Sequence, residues 1–229
     1  MQKTKIEWCD YTINPIKGLC KNGCWYCYAA KMYKRFKWDE HLSADFSVFT
    51  DVAKLKKPST IFIGSTNDIF GSWIPYHWII GILQYCAQFN QHTYIFLTKN
   101  PSRYNEFIKH IPDNCWLGAT ITGERFSIMD TFYLLEFIRD KSIPNLKFIS
   151  YEPMLACGYP EREMVERMLP YLGWLIIGGL SGHKYQPELL HPSVVELLRM
   201  ALGRGIPVFI KDNMRYPVRV KEYPCASII

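Results

Sequence analysis

The first residues of the chain, Met1-Gln2-Lys3-Thr4-Lys5-Ile6-Glu7-Trp8, hold no apolar core, so no secretory signal is expected. Nowhere does a run approach the roughly 20 apolar residues that a membrane span requires. Internal repeats, low-complexity tracts and long blocks of one charge are missing, and no linker-like stretch divides the sequence. Together these absences lead us to expect one domain over residues 1–229, in the cytoplasm, where thiols stay reduced. Eight cysteines in such a compartment read as metal or redox chemistry, or as small buried hydrophobes, before they read as disulfides.

A chain of 229 residues suits an α/β barrel. It buries roughly 70% of its unfolded surface, so its core needs no covalent staples. Aromatics make up 15% of the residues, enough for large rings to fill a core or line a ligand cavity. The formal net charge of +6 is compatible with an anionic partner and equally with an ordinary basic protein.

Short apolar runs alternate with longer helix-like segments. Strands are predicted at 11–14, 60–64, 94–98, 115–120, 146–150, 175–179 and 208–211, from their β-branched and aromatic content. Helices are predicted at 24–36, 76–89, 101–111, 127–139, 161–172 and 192–202, with a weaker one at 47–54. In the first of these, Ala29, Tyr33 and Phe36 share the face expected to be buried. Continuous apolar strands separated by helices imply a parallel sheet covered on its faces, and six or seven such units imply a full or partial barrel. In either architecture, function sits at the C-terminal ends of the strands. There the sequence places Ser65, Thr66, Asn67 and Asp68, then Lys99, then Thr120, Thr122 and Glu124, then Glu152, then Gly178 and Gly179, and finally Lys211.

Three cysteines stand apart from the rest. Cys20, Cys24 and Cys27 fall within eight residues as CxxxCxxC, directly after the first predicted strand and a Pro/Gly turn. A metal is the simplest reason to gather three thiols so tightly. Structural zinc takes four ligands, and Cys9 could complete such a set. A 4Fe–4S cluster held by only three thiolates keeps one iron open. Cys86 and Cys115 lie inside apolar elements and read as core residues, while Cys157 and Cys225 are scattered.

CxxxCxxC with an aromatic, Tyr26, just before the third cysteine resembles the signature of the radical S-adenosylmethionine (radical SAM) superfamily. The likeness extends over most of the chain, through Asn14-Pro15, Cys27-Tyr28-Ala29, Phe96-Leu97-Thr98-Lys99, Trp116-Leu117-Gly118, Glu152-Pro153, Ile177-Gly178-Gly179-x-Ser181-Gly182 and Val208-Phe209-Ile210-Lys211. Together these look like a poorly characterised radical-SAM-like family of phage and prokaryotic genomes. The Cys24-x-Tyr26-Cys27-Tyr28 pattern is also similar to that of spore photoproduct lyases, which are DNA-repair radical enzymes.

The resemblance implies a single-domain α/β fold, a partial (β/α)6 TIM-like barrel with parallel strands. It also implies an enzyme that reductively cleaves S-adenosyl-L-methionine at a 4Fe–4S cluster and uses the 5′-deoxyadenosyl radical to take hydrogen from a substrate, with nucleic acid one candidate. An external electron donor such as flavodoxin or ferredoxin follows from that chemistry. By position, Tyr26 would approach the adenine or pack the loop. Ser65, Thr66, Asn67 and Asp68 would stand where the superfamily binds the cofactor's amino group. The usual Gly-Gly-Glu is missing there, so Asn67 or Asp68 takes its place. Thr120 and Thr122 would reach the ribose hydroxyls, and Gly178 and Gly179 would back the adenine. Lys99, Glu152 and Lys211 are costly to bury unpaired, so they either meet cofactor or substrate or pair among themselves.

Residues 31–38 interleave Lys31, Lys34, Arg35 and Lys37 with Tyr33, Phe36 and Trp38. Such a strip can contact phosphates and stack bases, or it is a solvated helix face with its aromatics in the core. Two non-catalytic alternatives remain: a zinc-stabilised α/β nucleic-acid-binding protein, and a degenerate scaffold that keeps a cluster without chemistry.

Overall fold

The computed structural model describes residues 2–122, 139, 143–155, 159–181 and 192–224. Expectations for the helix at 127–139, for Glu124 and Gly182, and for Cys157 and Cys225 fall wholly or mostly outside those residues.

The fold is α/β with a seven-strand parallel sheet of the partial TIM-barrel class. Its strands are β2 (Tyr11–Ile13), β5 (Thr60–Ile63), β6 (Thr93–Thr98), β7 (Cys115–Ile121), β8 (Lys147–Tyr151), β9 (Trp174–Ile177) and β10 (Val208–Ile210), ordered as written. A short β1 (Gln2–Lys3) adds to β2 antiparallel. Outside the sheet, β3 (Ile16–Lys17) and β4 (Ser43–Ala44) form a separate two-stranded ribbon. The chain divides into two compact units, Met1–Gly118 with Ile143–Asn145, and Ala119–Ser142 with Leu146–Ile229.

In the first unit, Tyr11 pairs with Ile61 and Ile61 with Tyr94, both in parallel register. Ile61, Ile63, Ile95 and Phe96 are buried, as the unbroken apolar runs require of a sheet covered on both faces. Helix α3 (Tyr76–Gln88) buries Ile79, Ile82, Leu83 and Cys86, the i, i+3, i+4, i+7 stripe of a core-facing helix. Cys86 and Cys115 are buried, and burial pushes the Cys86 thiol well up, with Cys115 beside it adding to the effect. They belong to the core.

The segment Pro101–His110 is a 3₁₀ helix rather than the predicted α-helix. Its buried Pro101, Tyr104 and Phe107 recur every three residues, the 3₁₀ repeat. The 47–54 expectation is met by a 3₁₀ turn, Phe46–Val48, and a single α turn, α2 (Phe49–Val52).

Helix α1 (Tyr28–Phe36) starts four residues later than predicted, which leaves all three clustered cysteines outside it. Cys27 is its N-cap, and its Sγ accepts the Ala30 N–H at 3.5 Å. Ala29 and Tyr33 are buried, but Phe36 is exposed, against expectation. The helix ends there because Lys37 takes a left-handed conformation (φ 51°) and returns its N–H to the Tyr33 carbonyl, turning the chain outward.

In the second unit, β8, β9 and β10 pair in parallel and are buried at every position. Helix α4 (Tyr159–Met168) is followed by a 3₁₀ turn, Leu169–Tyr171, because Pro170 has no N–H to continue the α ladder. Helix α5 (Pro192–Gly203) opens on Pro192 and buries Val194, Leu197, Leu198 and Ala201. Strand β9 ends at Ile177, so Gly178 and Gly179 follow the strand instead of lying within it.

Candidate functional site

The thiol loop is tied down from both ends. At its base, the β3/β4 ribbon and the Leu19 N–H to the Glu40 carbonyl (3.0 Å) hold the chain flat. Gly18, which is buried, donates its N–H to the Tyr33 hydroxyl (2.9 Å) and accepts from the Asn67 amide at its carbonyl (3.0 Å). Its φ is +101°, and a Cβ there would stand 2.6 Å from the His41 carbonyl oxygen. Backbone cannot yield as a side-chain tip would, so Gly18→Ala is expected to cost about 2 kcal/mol, seen as a lowered urea midpoint at unchanged m-value.

Asp68 fastens the loop's middle. Its Oδ2 accepts the Asn22 amide (3.0 Å) and the Lys99 backbone N–H (2.9 Å), and its Oδ1 accepts the Phe70 N–H (3.1 Å). One buried carboxylate, 7% exposed, thus joins the thiol loop to the residues that follow β5 and β6. Asn67, 4% exposed, uses its oxygen on the Trp73 indole N–H (3.3 Å) and its amide on Gly18. Ser65 Oγ and the Thr66 N–H both meet Asn14 Oδ1 at 3.2 Å, and the Tyr28 hydroxyl donates to the Ser65 carbonyl.

Lys99 Nζ donates to the Tyr26 hydroxyl at 2.8 Å and lies 5.5 Å from the centre of its ring. A fixed cation therefore stands beside the aromatic that precedes Cys27. Of the six cofactor contacts predicted there, Tyr26, Ser65, Thr66, Asn67, Asp68 and Lys99, the structure brings Tyr26, Lys99, Asp68 and Asn67 into one network with Asn22 and Gly18. Asn14, Asn22 and Tyr33 lack any catalytic-looking sequence signal. A lone asparagine before Pro15 at a strand end is the nearest thing to one.

Cys20, Cys24 and Cys27 are half-buried and not disulfide-bonded. Burial pushes the Cys20 thiol up, and the nearby Asp68 and Cys24 add to this, while backbone N–H groups of Asn22 and Asp68 pull the other way. Metal binding at Cys20 must therefore displace a proton, and loading is easier as pH rises. Three soft thiolates suit iron–sulfur or zinc. Among the described residues, no three His, Cys, Asp or Glu side chains converge to metal-ligating distance. The donor chemistry fits such a group, and the sulfurs stand as an unclosed set around the turn in which the Cys27 N–H meets the Cys24 carbonyl (3.0 Å).

The second unit holds its own polar cluster. Glu152, just past β8, pairs with Lys211, just past β10, and their side chains are 22% and 16% exposed. A Cβ on Gly178 would stand 2.7 Å from Glu152 Cδ, so this glycine makes room for the Glu152 side chain. Gly178→Ala is expected to push Glu152 off Lys211 and lower stability by about 1 kcal/mol. In a Glu152→Ala background the same change should cost almost nothing, and a thermal-melt double-mutant cycle measures the difference. The Asn213 side chain pairs with both backbone groups of Gly179 (2.9 and 2.7 Å) and reaches Ser181 Oγ (2.9 Å). Thr120 is half-buried at the end of β7, and Thr122 is buried with its carbonyl accepting the Leu155 N–H (3.0 Å).

Solved structures of spore photoproduct lyase share the fold. A cysteine-to-alanine variant with dinucleoside spore photoproduct gives a TM-score of 0.60 at 14% identity, covering 89% of this chain and 62% of that one. A doubly substituted variant with bound AdoMet and dinucleoside spore photoproduct gives 0.57 at 12% identity, covering 87% and 62%. The chain thus spans about 62% of the length of that enzyme. No curated protein sequence matches significantly. The family model described as "Protein of unknown function (DUF5131)" matches residues 3–219, and the chain belongs to that family.

Proposed function

We propose that the chain is a radical SAM enzyme in which Cys20, Cys24 and Cys27 hold a 4Fe–4S cluster and S-adenosyl-L-methionine is the cofactor. The observation that carries this reading is the attachment of a three-thiol loop to the C-terminal ends of β5 and β6, through Asn22 to Asp68 and Tyr26 to Lys99. Support comes from fold neighbours that are structures of spore photoproduct lyase, a radical SAM enzyme, one of them with bound AdoMet. When bound, the cluster and cofactor together supply a 5′-deoxyadenosyl radical for hydrogen abstraction, with an external flavodoxin- or ferredoxin-like donor providing the electron.

The chain's own residues hold and shield. Lys99 places its ammonium where a cofactor carboxylate would be drawn, and Tyr26 presents a ring beside it for the adenine. Asn67 and Asp68 act through the loop they brace, and Ser65 and Thr66 offer hydroxyls at the end of β5 for the cofactor's amino group. In the second unit, Thr120 and Thr122 are assigned to ribose hydroxyls and Gly178 and Gly179 to the adenine. Glu152 is assigned a polar contact balanced by Lys211.

The test is anaerobic reconstitution with iron and sulfide, reduction, and measurement of 5′-deoxyadenosine formed from S-adenosylmethionine. Slow formation without added substrate is the expected result. Tightly bound zinc, with no cofactor cleavage under any reducing condition, would overturn the proposal.

A further inference from the structure

Helix α1 shows its unusual chemistry on the side away from the core. Ala29 and Tyr33 face inward, and Tyr28, Lys31 and Arg35, at i, i+3 and i+7, form the stripe on the outside. Lys34 lies beside that stripe and Lys37 follows at the turn, so four exposed cations occupy seven residues. No acidic residue falls among them. Beyond Trp38, Asp39 and Glu40 are acidic, and Asp39 is held by His41 (2.8 Å), which bounds the patch on that side.

Aromatic rings are set among these cations. Phe36 and Trp38 are 52% and 43% exposed, and their rings stack at 5.4 Å with planes 24° apart. The Arg35 guanidinium lies 5.3 Å over the Phe36 ring. Toward the thiol loop, Trp25 and Tyr28 are 56% and 52% exposed. Phe36 and Trp38 were candidates for the core, and leaving them in water has a hydrophobic cost that an ordinary solvated helix does not bear.

We propose that this face, from Trp25 along Lys31, Lys34 and Arg35 to Trp38, binds single-stranded nucleic acid, the cations meeting phosphates and the rings stacking on unpaired bases. A lipid surface fits less well. An interfacial helix needs its apolar side for the bilayer, whereas α1 spends that side on the core and mixes rings with charges on the outside. Duplex would use the cations alone, because its bases are already stacked. The four cations, Lys31, Lys34, Arg35 and Lys37, can meet up to four phosphates. Binding by this face stands apart from the chemistry proposed for the thiol loop. That the bound strand is the substrate rests on that chemistry.

The experiment is fluorescence anisotropy on the full chain, without iron, using labelled oligothymidylate, the same length of duplex, and phosphatidylglycerol vesicles as separate probes. Expected are binding of the single strand in preference to duplex and vesicles, and a log–log salt slope near −3, from about 0.7 per phosphate for four cations. Phe36→Ala should weaken single-strand binding about tenfold with the salt slope unchanged. Arg35→Gln with Lys34→Gln should roughly halve the slope. All three side chains are exposed, so circular dichroism should be unchanged. Equal affinity for duplex, stronger binding to vesicles, or variants that bind like the parent would each overturn the proposal. These outcomes are independent of 5′-deoxyadenosine formation, so failure here and failure of the enzymatic reading are told apart.

Discussion

Cys20→Ser, Cys24→Ser and Cys27→Ser are each expected to lose the iron chromophore and to drop 5′-deoxyadenosine formation below detection, while Cys9→Ser keeps both. Serine is a poor ligand for a soft metal centre, and a set of three thiolates has none to spare. The contrast with Cys9 comes from topology. Cys9 precedes β2, and the neighbouring Asp10 accepts the N–H and hydroxyl of Thr60 at the start of β5 (2.8 and 2.9 Å). The thiol loop follows β2 and is fastened to what lies after β5 and β6. Because β2 and β5 are parallel, Cys9 and the loop lie toward opposite ends of the strands, on the order of 10 Å apart at 3.3 Å per strand residue. A single tetrahedral zinc with bonds near 2.3 Å requires its sulfurs within about 4 Å of one another, which Cys9 and the loop do not meet. Iron content per chain and chromatography of the products check the four variants. Equal loss in Cys9→Ser would restore a four-sulfur zinc site.

Asp68→Ala is expected to lower stability by about 3 kcal/mol and the melting temperature by roughly 6–12 °C. The carboxylate serves three N–H donors, and its loss leaves the Lys99 and Phe70 amides without this acceptor. Asp68→Asn keeps the volume but turns an NH₂ toward donors, so it should fall between the parent and alanine. A purely global effect would leave the loop alone. A local one would also speed alkylation of Cys20, since the backbone and charge contacts around that thiol include Asp68. Asn22→Ala should be costly in the parent and nearly silent in Asp68→Ala. A parent-like melt for Asp68→Ala would show that the three bonds contribute nothing net.

The sheet was legible because its strands are unbroken apolar runs bracketed by glycine, proline and polar residues, and the thiol spacing was legible because all of it is local. What the sequence hid is mostly non-local. Asn22 and Asp68 are 46 residues apart, Glu152 and Lys211 are 59, and Tyr26 and Lys99 are 73. The alternative that Lys99, Glu152 and Lys211 pair among themselves holds for the last two, whereas Lys99 reaches Tyr26. Other differences are local but turn on small energies. A cysteine is an uncommon N-cap, so the start of α1 at Tyr28 carries no ordinary signal. A threefold apolar repeat in 101–110 differs from a 3.6-fold one by less than a turn's worth of pattern.

Tyr33 touches both surfaces at once. Its ring meets Trp38 edge-on at 5.3 Å, and its hydroxyl accepts the Gly18 N–H at the base of the thiol loop. A buried side chain that is anchored at each end transmits constraint between them. Whatever orders Trp38 narrows the positions open to Gly18, and whatever fixes the loop narrows those open to Trp38. On the two proposals above, a strand bound at Trp38 and a metal held by the loop would each change the other's affinity through this contact, and by thermodynamic reciprocity the two changes would be equal.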